Sequence, residues 1–444
     1  MSQHRTTARR PAYDPFLSRR SLLAGLTAAL VASQVAGCGK GGAPAVKAPE
    51  LLMADGVSRQ PAPADAPVGA VTDGMTAFAY ALCRASANAS RNWVASPVSI
   101  ATAFAMARVG ARGSTASQLD KVFGYPSSGR DEAFNAITRA VVTAGVPPKP
   151  SGSKPKLDAP PRPPVVCVGN ALFTDERLKI GADFLRTLAA QYGAGARPVD
   201  FGSPSAAEKI NSWVSQQTAG RINKLFDQLD PATLLVLANT VYLRADWASI
   251  FKYPTAGQPF TRASGGPVTA EMMFQEMSAR YAAADGWQAV ELPYAGGDLA
   301  MRLMLPAAGR SPADMLAPAT MGAVESRLTT ASVAVTMPRW DFASDIDLTT
   351  VLKAMGLTAP FTSAADFSGI APGLSIDQAI HRANITVDQR GTEAAAVTGI
   401  AVAGAAPAPP PVRFVADRPF AFAVVGGPSR VPLFVGLVAD PTAS

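Results

Sequence analysis

The stretch from residue 389 to 411 places the strongest constraint on how this 444-residue chain can fold. Residues 392–406 contain no proline and are mostly small, so each of them can donate a backbone N–H. Four of the five residues from 407 to 411 are proline, which has no N–H and is excluded from the centre of a sheet. The first half can therefore add a strand to a sheet, whereas the second half cannot.

The first half also alternates with a period of two, as a strand with one buried face does. One face would carry Thr392, Ala394, Ala396, Thr398, Ile400 and Val402. The other face would carry Glu393, Ala395, Val397, Gly399, Ala401 and Ala403. Alanine and glycine are poor strand formers, so the pattern predicts a segment that is able to become a strand without being committed to one. Composition alone would favour a flexible Ala/Pro-rich linker, but strand-like runs flank the segment on both sides.

A family motif overlaps the start of this stretch. From residue 381 the chain reads His381-Arg-Ala-Asn-Ile-Thr-Val-Asp-Gln-Arg-Gly-Thr-Glu-Ala-Ala-Ala. This closely resembles the hinge of serpins, roughly His-Lys-Ala-x-Ile-x-Val-x-Glu-x-Gly-Thr-Glu-Ala-Ala-Ala. In serpins the hinge leads into an exposed reactive loop that is offered to a protease. The resemblance implies a reactive loop at about residues 389–411. The hinge residues would be Gln389, Gly391, Thr392, Glu393, Ala394, Ala395, Ala396 and Thr398.

Further blocks match the same family, over about residues 70–441 in all. They begin with Asn92-Trp-Val-Ala-Ser-Pro-Val-Ser-Ile and Gly110-Ala-Arg-Gly-Ser-Thr-Ala-Ser-Gln-Leu. Leu237-Ala-Asn-Thr-Val-Tyr-Leu and the strands near the C-terminus follow. The resemblance implies an α+β fold with three β-sheets, eight or nine helices and one exposed loop, in a domain covering residues 69–444.

The resemblance also implies a polar cluster beneath the main sheet, where its strands part. The matching residues are Ser96, Ser99, Asn239 and His381, with Trp247 near the end of the strand that holds Asn239. A buried imidazole needs hydrogen-bond partners, and serine and asparagine supply donors and acceptors. The alternative is a set of unrelated polar residues in the core.

The N-terminus predicts export. Ser18-Arg19-Arg20-Ser21-Leu22-Leu23 is a twin-arginine signature, and the apolar run that follows is too short to span a bilayer as a mature helix. Val35-Ala36-Gly37-Cys38 resembles a bacterial lipobox, in which the cysteine is acylated. We therefore predict a signal peptide at 1–37, a lipid anchor on Cys38 and a Gly/Ala/Pro-rich tether at 38–68, in a cell-envelope lipoprotein or an extracellular protein. An ordinary signal peptide with an incidental Cys38 is the alternative.

The net charge and the absence of hydrolase, nucleotide-binding and metal motifs in the sequence exclude several classes of function. The net charge is +7, but five arginines against one aspartate before Cys38 contribute +4 of it, and the remainder is too mild to indicate nucleic-acid binding. The chain has two histidines, His4 and His381, and no hydrolase, nucleotide-binding or metal motif. We therefore predict no enzyme activity, no cofactor and no metal site.

Two further features leave alternatives open. Buried thiols are the favoured interpretation of Cys83 and Cys167, although an oxidising envelope would permit a disulfide. Residues 145–164 carry eight prolines and four basic residues and are longer than the corresponding family loop. They predict an exposed loop whose cations are solvated, with a polyanion site as the alternative.

The resemblance implies a monomeric suicide inhibitor that forms a covalent complex with a serine protease. Small residues at 394–396 and 398 favour this over a non-inhibitory serpin with a binding or structural role. Gln389 stands where the family usually has glutamate, and the lost charge could promote premature insertion. The family register from Gly391 places the cleaved bond between Ala405 and Ala406. Small residues there suit an elastase-like or subtilisin-like enzyme, and Arg413 lies beyond the prolines.

Overall fold

The computed structural model describes residues 46–148, 156–392 and 411–443. Eight α-helices lie within these ranges: α1 Val68–Ser86, α2 Pro97–Gly110, α3 Gly113–Phe123, α4 Arg130–Val141, α5 Ala182–Thr187, α6 Ala206–Gln217, α7 Pro318–Arg327 and α8 Leu348–Ala354. The strands are β1 Trp93–Ala95, β2 Val165–Asp175, β3 Ala196–Val199, β4 Leu235–Asp246, β5 Tyr253–Thr261, β6 Pro267–Ala284, β7 Trp287–Pro293, β8 Leu299–Pro306, β9 Thr329–Pro338, β10 Trp340–Asp347, β11 Gln378–Val387, β12 Gly391–Thr392, β13 Val412–Val415, β14 Phe420–Gly426 and β15 Val431–Val438. The predicted α+β class is confirmed.

Hydrogen bonds connect the described strands into two sheets. The first follows the order β1-β15-β14-β8-β7-β6-β9-β13, with β5 also on β6, and the second follows β10-β11-β12-β4-β2-β3. The sequence predicts three sheets. The long strand β6 accounts for the difference, because it pairs with β5 at its beginning and with β7 at its end. It thereby joins two sets of strands into one hydrogen-bonded sheet.

Helix α2 lies between the two sheets. Ser96 caps it, with its hydroxyl accepting the N–H of Ser99, and Pro97 occupies the first turn. The sequence favours this start, since serine is a preferred cap and proline suits the first helical turn. The helix is buried along nearly its whole length, because it packs on β15 of one sheet and on β2 and β4 of the other. A helix covered all round is apolar all round.

The six-stranded sheet is covered on its other face by α6. Ile210, Trp213 and Val214 are buried, as the amphipathic pattern predicts, and the Trp213 ring meets Phe173 of β2 edge-on at 5.5 Å. All but one residue of β4 are buried, since both faces of this central strand are covered. The sheet is therefore a layer between α2 and α6.

The folded domain begins before its first helix. The spacing of apolar residues between Met75 and Cys83 predicts a helix that starts at Gly74, whereas α1 starts six residues earlier, at Val68. Within the segment predicted to be a tether, Leu52 forms two backbone hydrogen bonds with Ala196, at 2.8 and 3.0 Å. Arg59 donates to Asn135 and Thr138 of α4. Residues from 46 onward thus belong to the same compact unit as the domain.

No disulfide joins Cys83 to Cys167, and both side chains are buried. Burial raises the pKa of the Cys83 thiol to about 12. A search of the described helices finds none that combines the length and apolar character of a membrane span.

Candidate functional site: the hinge and the opening between two strands

Strands β4 and β11 are neighbours over only part of their length. They pair in parallel from Gln378 opposite Val236 to His381 opposite Asn239. Beyond His381 the described part of this ladder ends, and a cleft opens that Val241, Leu243, Ile385, Thr386 and Thr392 help to line. The main sheet is therefore closed at one end and parted at the other.

Two residues of the predicted loop, Gly391 and Thr392, already lie in the parted end. Strand β12 runs antiparallel to both neighbours, with Thr392 opposite Val387 of β11 and opposite Ala245 of β4. Gly391 pairs with Asp246. A Cβ on Gly391 would lie 2.1 Å from the carbonyl oxygen of Ala245, so only glycine permits this approach. The hinge is thus a short strand held between β4 and β11.

Thr392 faces the interior. Its side chain is buried, and its hydroxyl lies 2.6 Å from the hydroxyl of Tyr294. The Tyr294 ring stacks on Trp247 with centroids 4.6 Å apart. Burial raises the pKa of Tyr294 far above its ordinary value, so the phenol stays protonated and can serve as a donor. The pocket under the hinge therefore accepts a small neutral polar side chain.

The turn between β11 and β12 is bound at each of its carbonyl groups. The Trp247 indole donates to the carbonyl of Asp388 at 3.0 Å. Phe251 N–H donates to the carbonyl of Gln389 at 2.9 Å, and Trp247 N–H to that of Arg390 at 2.8 Å. The segment that follows β4 thus fixes the path of the turn.

Asp388 holds the same turn from inside. Its Oδ1 accepts the N–H groups of Arg390 and Gly391, at 2.8 and 3.3 Å. Its Oδ2 is buried and has no hydrogen-bond partner among the residues the structure describes. Burial raises the pKa of this carboxyl to about 6, although the two backbone donors act in the opposite direction.

Arg390 is fully buried beside the turn. Its guanidinium donates to the carbonyl oxygens of Lys156 at 2.6 Å, Ala159 at 3.3 Å and Pro160 at 2.9 Å. It also forms an ion pair with Asp246 at 2.7 Å. Arg162 binds the Asp246 carboxylate from the other side. Residues 156–162 of the predicted exposed loop therefore contact the hinge through three backbone carbonyls, and Arg162 forms an ion pair instead of being solvated.

Four of the five residues predicted to line the sheet opening meet at the closed end of the cleft. His381 Nε2 accepts the N–H of Ser96 at 3.0 Å, so the ring proton is on Nδ1, which donates to Asn239 Oδ1 at 2.5 Å. Ser99 N–H donates to the Ser96 hydroxyl at 3.3 Å. Burial lowers the pKa of His381 to about 3, so the imidazole is neutral.

Trp247 requires a correction. The sequence groups it with His381, but it lies at the far end of β4, stacked on Tyr294 and bonded to the hinge turn. The eight residues that separate it from Asn239 along an extended strand account for the difference. Gln389 is buried, and its side-chain oxygen makes no hydrogen bond within the described ranges.

The remaining predicted site residues fall outside the described residues. They are Glu393, Ala394, Ala395, Ala396, Thr398, Ala405, Ala406 and Cys38. Sequence reasoning missed Arg390, Asp246, Asp388 and Tyr294. The one local signal was an Asp-Gln-Arg triplet directly before Gly391, and charged residues that close to a strand are ordinarily read as a solvated turn.

This geometry is that of a serpin, and comparison with known proteins agrees. The family model for serpins (serine protease inhibitors) matches residues 73–441. The chain therefore belongs to the serpin family, which confirms the resemblance seen in the sequence. Serpins are generally protease inhibitors rather than enzymes.

Individual relatives and structures lead to the same family. The chain is 32% identical over 381 residues to an uncharacterized serpin-like protein of Thermococcus kodakarensis, covering 84% of this chain and 86% of that protein. It is 31% identical over 378 residues to the leukocyte elastase inhibitor of Bos taurus, covering 80% and 94%. The native structure of the thermophilic serpin Tengpin is similar in fold, with a TM-score of 0.76 at 23% identity, covering 88% of this chain and 100% of that one.

Proposed function

We propose that this chain inhibits serine proteases by inserting its cleaved reactive loop into the cleft between β4 and β11. The observation that carries the proposal is the position of β12. Gly391 and Thr392 already occupy the top of the cleft, antiparallel to both neighbours. An inserted strand would therefore extend from an end that is already formed.

The register of β12 predicts where later residues would go. Each further step along the loop moves one residue back along β4 and along β11. Continued in this way, the register brings Thr398 level with Asn239 and His381. These two residues are direct strand partners in the uncleaved protein, so the inserted strand would have to separate them. Val402 would come level with Leu235, the first residue of β4. The proline-free segment is long enough to fill the whole strand position.

The alternation of side chains supports the same model. Thr392 faces the interior, so Ala394, Ala396, Thr398, Ile400 and Val402 would follow it inward because side chains alternate along a strand. Every one of them is small or apolar, and Glu393 would face outward. Insertion would add backbone hydrogen bonds on both edges and bury these side chains, so the uncleaved fold would be a metastable state.

The chemistry begins with the protease. Its serine hydroxyl attacks the carbonyl carbon of Ala405, the bond to the nitrogen of Ala406 breaks, and Ala406 leaves as a free amine. An ester then joins Ala405 to the protease. Insertion of residues 393–402 would carry the attached protease along and distort its active site before water hydrolyses the ester. Hydrolysis that outpaced insertion would release active protease and cleaved inhibitor.

The small residues around Ala405 favour an elastase-like or subtilisin-like target. A relative of this chain is named as a leukocyte elastase inhibitor, which agrees with that preference. The leader supports action outside the cell, as an envelope lipoprotein anchored through Cys38 or as an extracellular monomer. A non-inhibitory serpin with a binding role is the second candidate.

One experiment separates the two candidates. The protein is incubated with pancreatic elastase, and the mixture is examined for a complex that survives denaturant. In parallel, thermal unfolding is compared before and after loop cleavage by a catalytic amount of protease. An inhibitor gives a stable complex and a large rise in the unfolding temperature. A cleaved protein that unfolds at the original temperature would favour the non-inhibitory candidate.

A further inference from the structure

A proline-rich strap reaches the hinge from a distant point in the chain. We use "strap" for residues 156–162, a described segment of the long loop that joins α4 to β2. The ends of this loop lie together, since Thr143 donates to the carbonyl of Pro164 at 3.3 Å and its N–H to that of Val166 at 2.9 Å. The chain could therefore pass from α4 to β2 by a short connection, and the strap is not needed to join them.

Arg390 sits in a socket built by the strap. The three carbonyl oxygens at 156, 159 and 160 and the carboxylate of Asp246 are four acceptors around one guanidinium. The side chain is fully buried. A planar guanidinium can serve several acceptors in fixed directions, which a lysine ammonium cannot. The socket is thus specific for arginine at this position.

Asp246 connects the strap to the strand that receives the loop. It is the last residue of β4 and the register partner of Gly391. Burial opposes ionisation of Asp246, but the Arg162 hydrogen bonds and the charges of Arg162 and Arg390 hold its pKa below the ordinary value. The carboxylate therefore stays charged at neutral pH and binds one arginine from the strap and one from the hinge.

We propose that the strap is a clamp that keeps Gly391 and Thr392 between β4 and β11 before cleavage, with Arg390 as the positioning residue on which it acts. This inference rests on the proposed inhibitory function. Ordering the first residues of a new strand is unfavourable, because their entropy is lost before later contacts repay it. When the clamp already holds Gly391 and Thr392 as a strand, insertion no longer includes this unfavourable ordering step. The clamp thereby sets the fraction of cleavages that end in trapped protease rather than in released, active protease.

The test uses the full-length chain in five forms. These are the wild type, Arg390→Ala, Arg390→Lys, a variant whose residues 146–163 are replaced by a short Gly-Ser turn, and the control Arg177→Ala. Arg177 pairs with buried Asp175 at the opposite end of β2, so the control removes the same kind of contact far from the hinge. Circular dichroism and thermal unfolding check that each variant folds.

The first readout does not depend on inhibition. Hydrogen exchange is measured at the amides of Trp247, Phe251 and Asp388, which donate to Arg390, Gln389 and Gly391. We expect exchange about tenfold faster or more in Arg390→Ala and in the strap replacement, because bonds to a charged donor are lost. Arg390→Lys should lie between these and the wild type, and Arg177→Ala should match the wild type. Unchanged exchange in Arg390→Ala would overturn the clamp.

The second readout is the number of inhibitor molecules consumed per elastase molecule inactivated. We expect this number to rise several-fold in Arg390→Ala and in the strap replacement, with little change in the rate of loop cleavage. A sixth form that combines Arg390→Ala with the strap replacement should change this number little beyond either change alone, because Arg390 acts through the strap. If exchange becomes faster but the number of inhibitor molecules consumed per elastase molecule does not change, the clamp does not set the fraction of cleavages that trap the protease. A wild type that inhibits no protease would instead refute the proposed function, while the exchange data would still decide the clamp.

Discussion

The hydroxyl groups of Tyr294 and Thr392 lie 2.6 Å apart in the interior of the protein. The two residues are 98 positions apart in the chain, and their contact places Thr392, at the start of the segment that would insert, against the core. The Trp247 ring stacks on the Tyr294 ring, with the two centroids 4.6 Å apart. The contact therefore reports directly on whether the hinge is in the sheet.

Thr392→Arg should convert the protein from an inhibitor into a substrate. An arginine at this position would have to enter the buried site closed by Tyr294 and Trp247, which now holds a small neutral hydroxyl, and burying a charge there costs several kcal/mol. The fraction of elastase found in denaturant-stable complexes should fall sharply. Thr392→Ser, which keeps the hydroxyl, should retain most of the complex. Equal complex yields in the wild type and in Thr392→Arg would mean that this residue does not need to insert.

Elastase should cut between Ala405 and Ala406. The new C-terminal peptide should begin at Ala406, because the bonds before Pro407 and Pro409 are poor sites for serine proteases. Sequencing the released peptide tests this. Ala405→Arg should gain a stable complex with trypsin, which selects a basic residue at this position. A wild-type trypsin complex whose peptide begins at Phe414 would contradict both the bond and the specificity.

Asp388→Asn should stabilise the protein more as the pH rises. The pKa of Asp388 is about 6 in the folded state against an ordinary 3.8, so the folded state holds the proton more tightly between these values. The stability it contributes is therefore present below about pH 4 and is lost as the pH rises through about 6. Asparagine can still accept the two backbone N–H groups without the buried charge.

Thermal unfolding at a fixed heating rate measures this difference. We expect the midpoint of Asp388→Asn, relative to the wild type, to be higher at pH 7.5 than at pH 4.5. The matched control is Asp341→Asn, which removes an exposed carboxyl on β10. A difference between Asp388→Asn and the wild type that stays constant with pH would show that this carboxyl titrates normally.

His381 should make the fold sensitive to acid. Its pKa is about 3 in the folded state and 6.5 ordinarily, so the unfolded chain takes up a proton at a pH where the folded protein does not. The stability that neutral His381 contributes is complete above about pH 6.5 and is lost as the pH falls towards 3.

His381→Gln separates this effect from general acid unfolding. The variant should be less stable than the wild type at pH 7.5, because the buried N–H of Ser96 loses its imidazole acceptor, a loss worth about 1–3 kcal/mol. It should also lose less stability between pH 7 and pH 5. If the unfolding midpoints of the wild type and of His381→Gln shift equally with pH, the titration of His381 does not contribute to the acid sensitivity.

Cys38→Ser should release the protein from the membrane fraction. The prediction depends on the lipobox-like run that ends at Cys38, since acylation of that cysteine would be the anchor. Fractionation of cells that express the two forms tests it, with Cys83→Ser as the matched control because Cys83 is buried in α1. Equal membrane partition of Cys38→Ser and the wild type would exclude this anchor.

The sequence by itself was sufficient for the family and for much of the fold. The hinge motif, the Ser96–Pro97 helix start and the amphipathic face of α6 are local patterns, and each survives in the structure because local backbone preferences and the burial of one face agree there. The four polar residues Ser96, Ser99, Asn239 and His381 could also be grouped in advance, but only through the resemblance of the chain to a family. Their spacing along the chain carries no such information.

Only the tertiary structure decided what holds the hinge. Arg390 meets Lys156 across 234 residues, and Arg162 meets Asp246 across 84. The proline-rich loop was predicted to be solvated because its composition is that of a surface segment, and composition does not specify where a loop returns to the body of the protein. Trp247 lies in a different cluster from the one predicted for a similar reason, because an extended strand separates it from Asn239. Periodicity is a local property of the sequence, whereas the partner of a buried charge is set by the path of the whole chain.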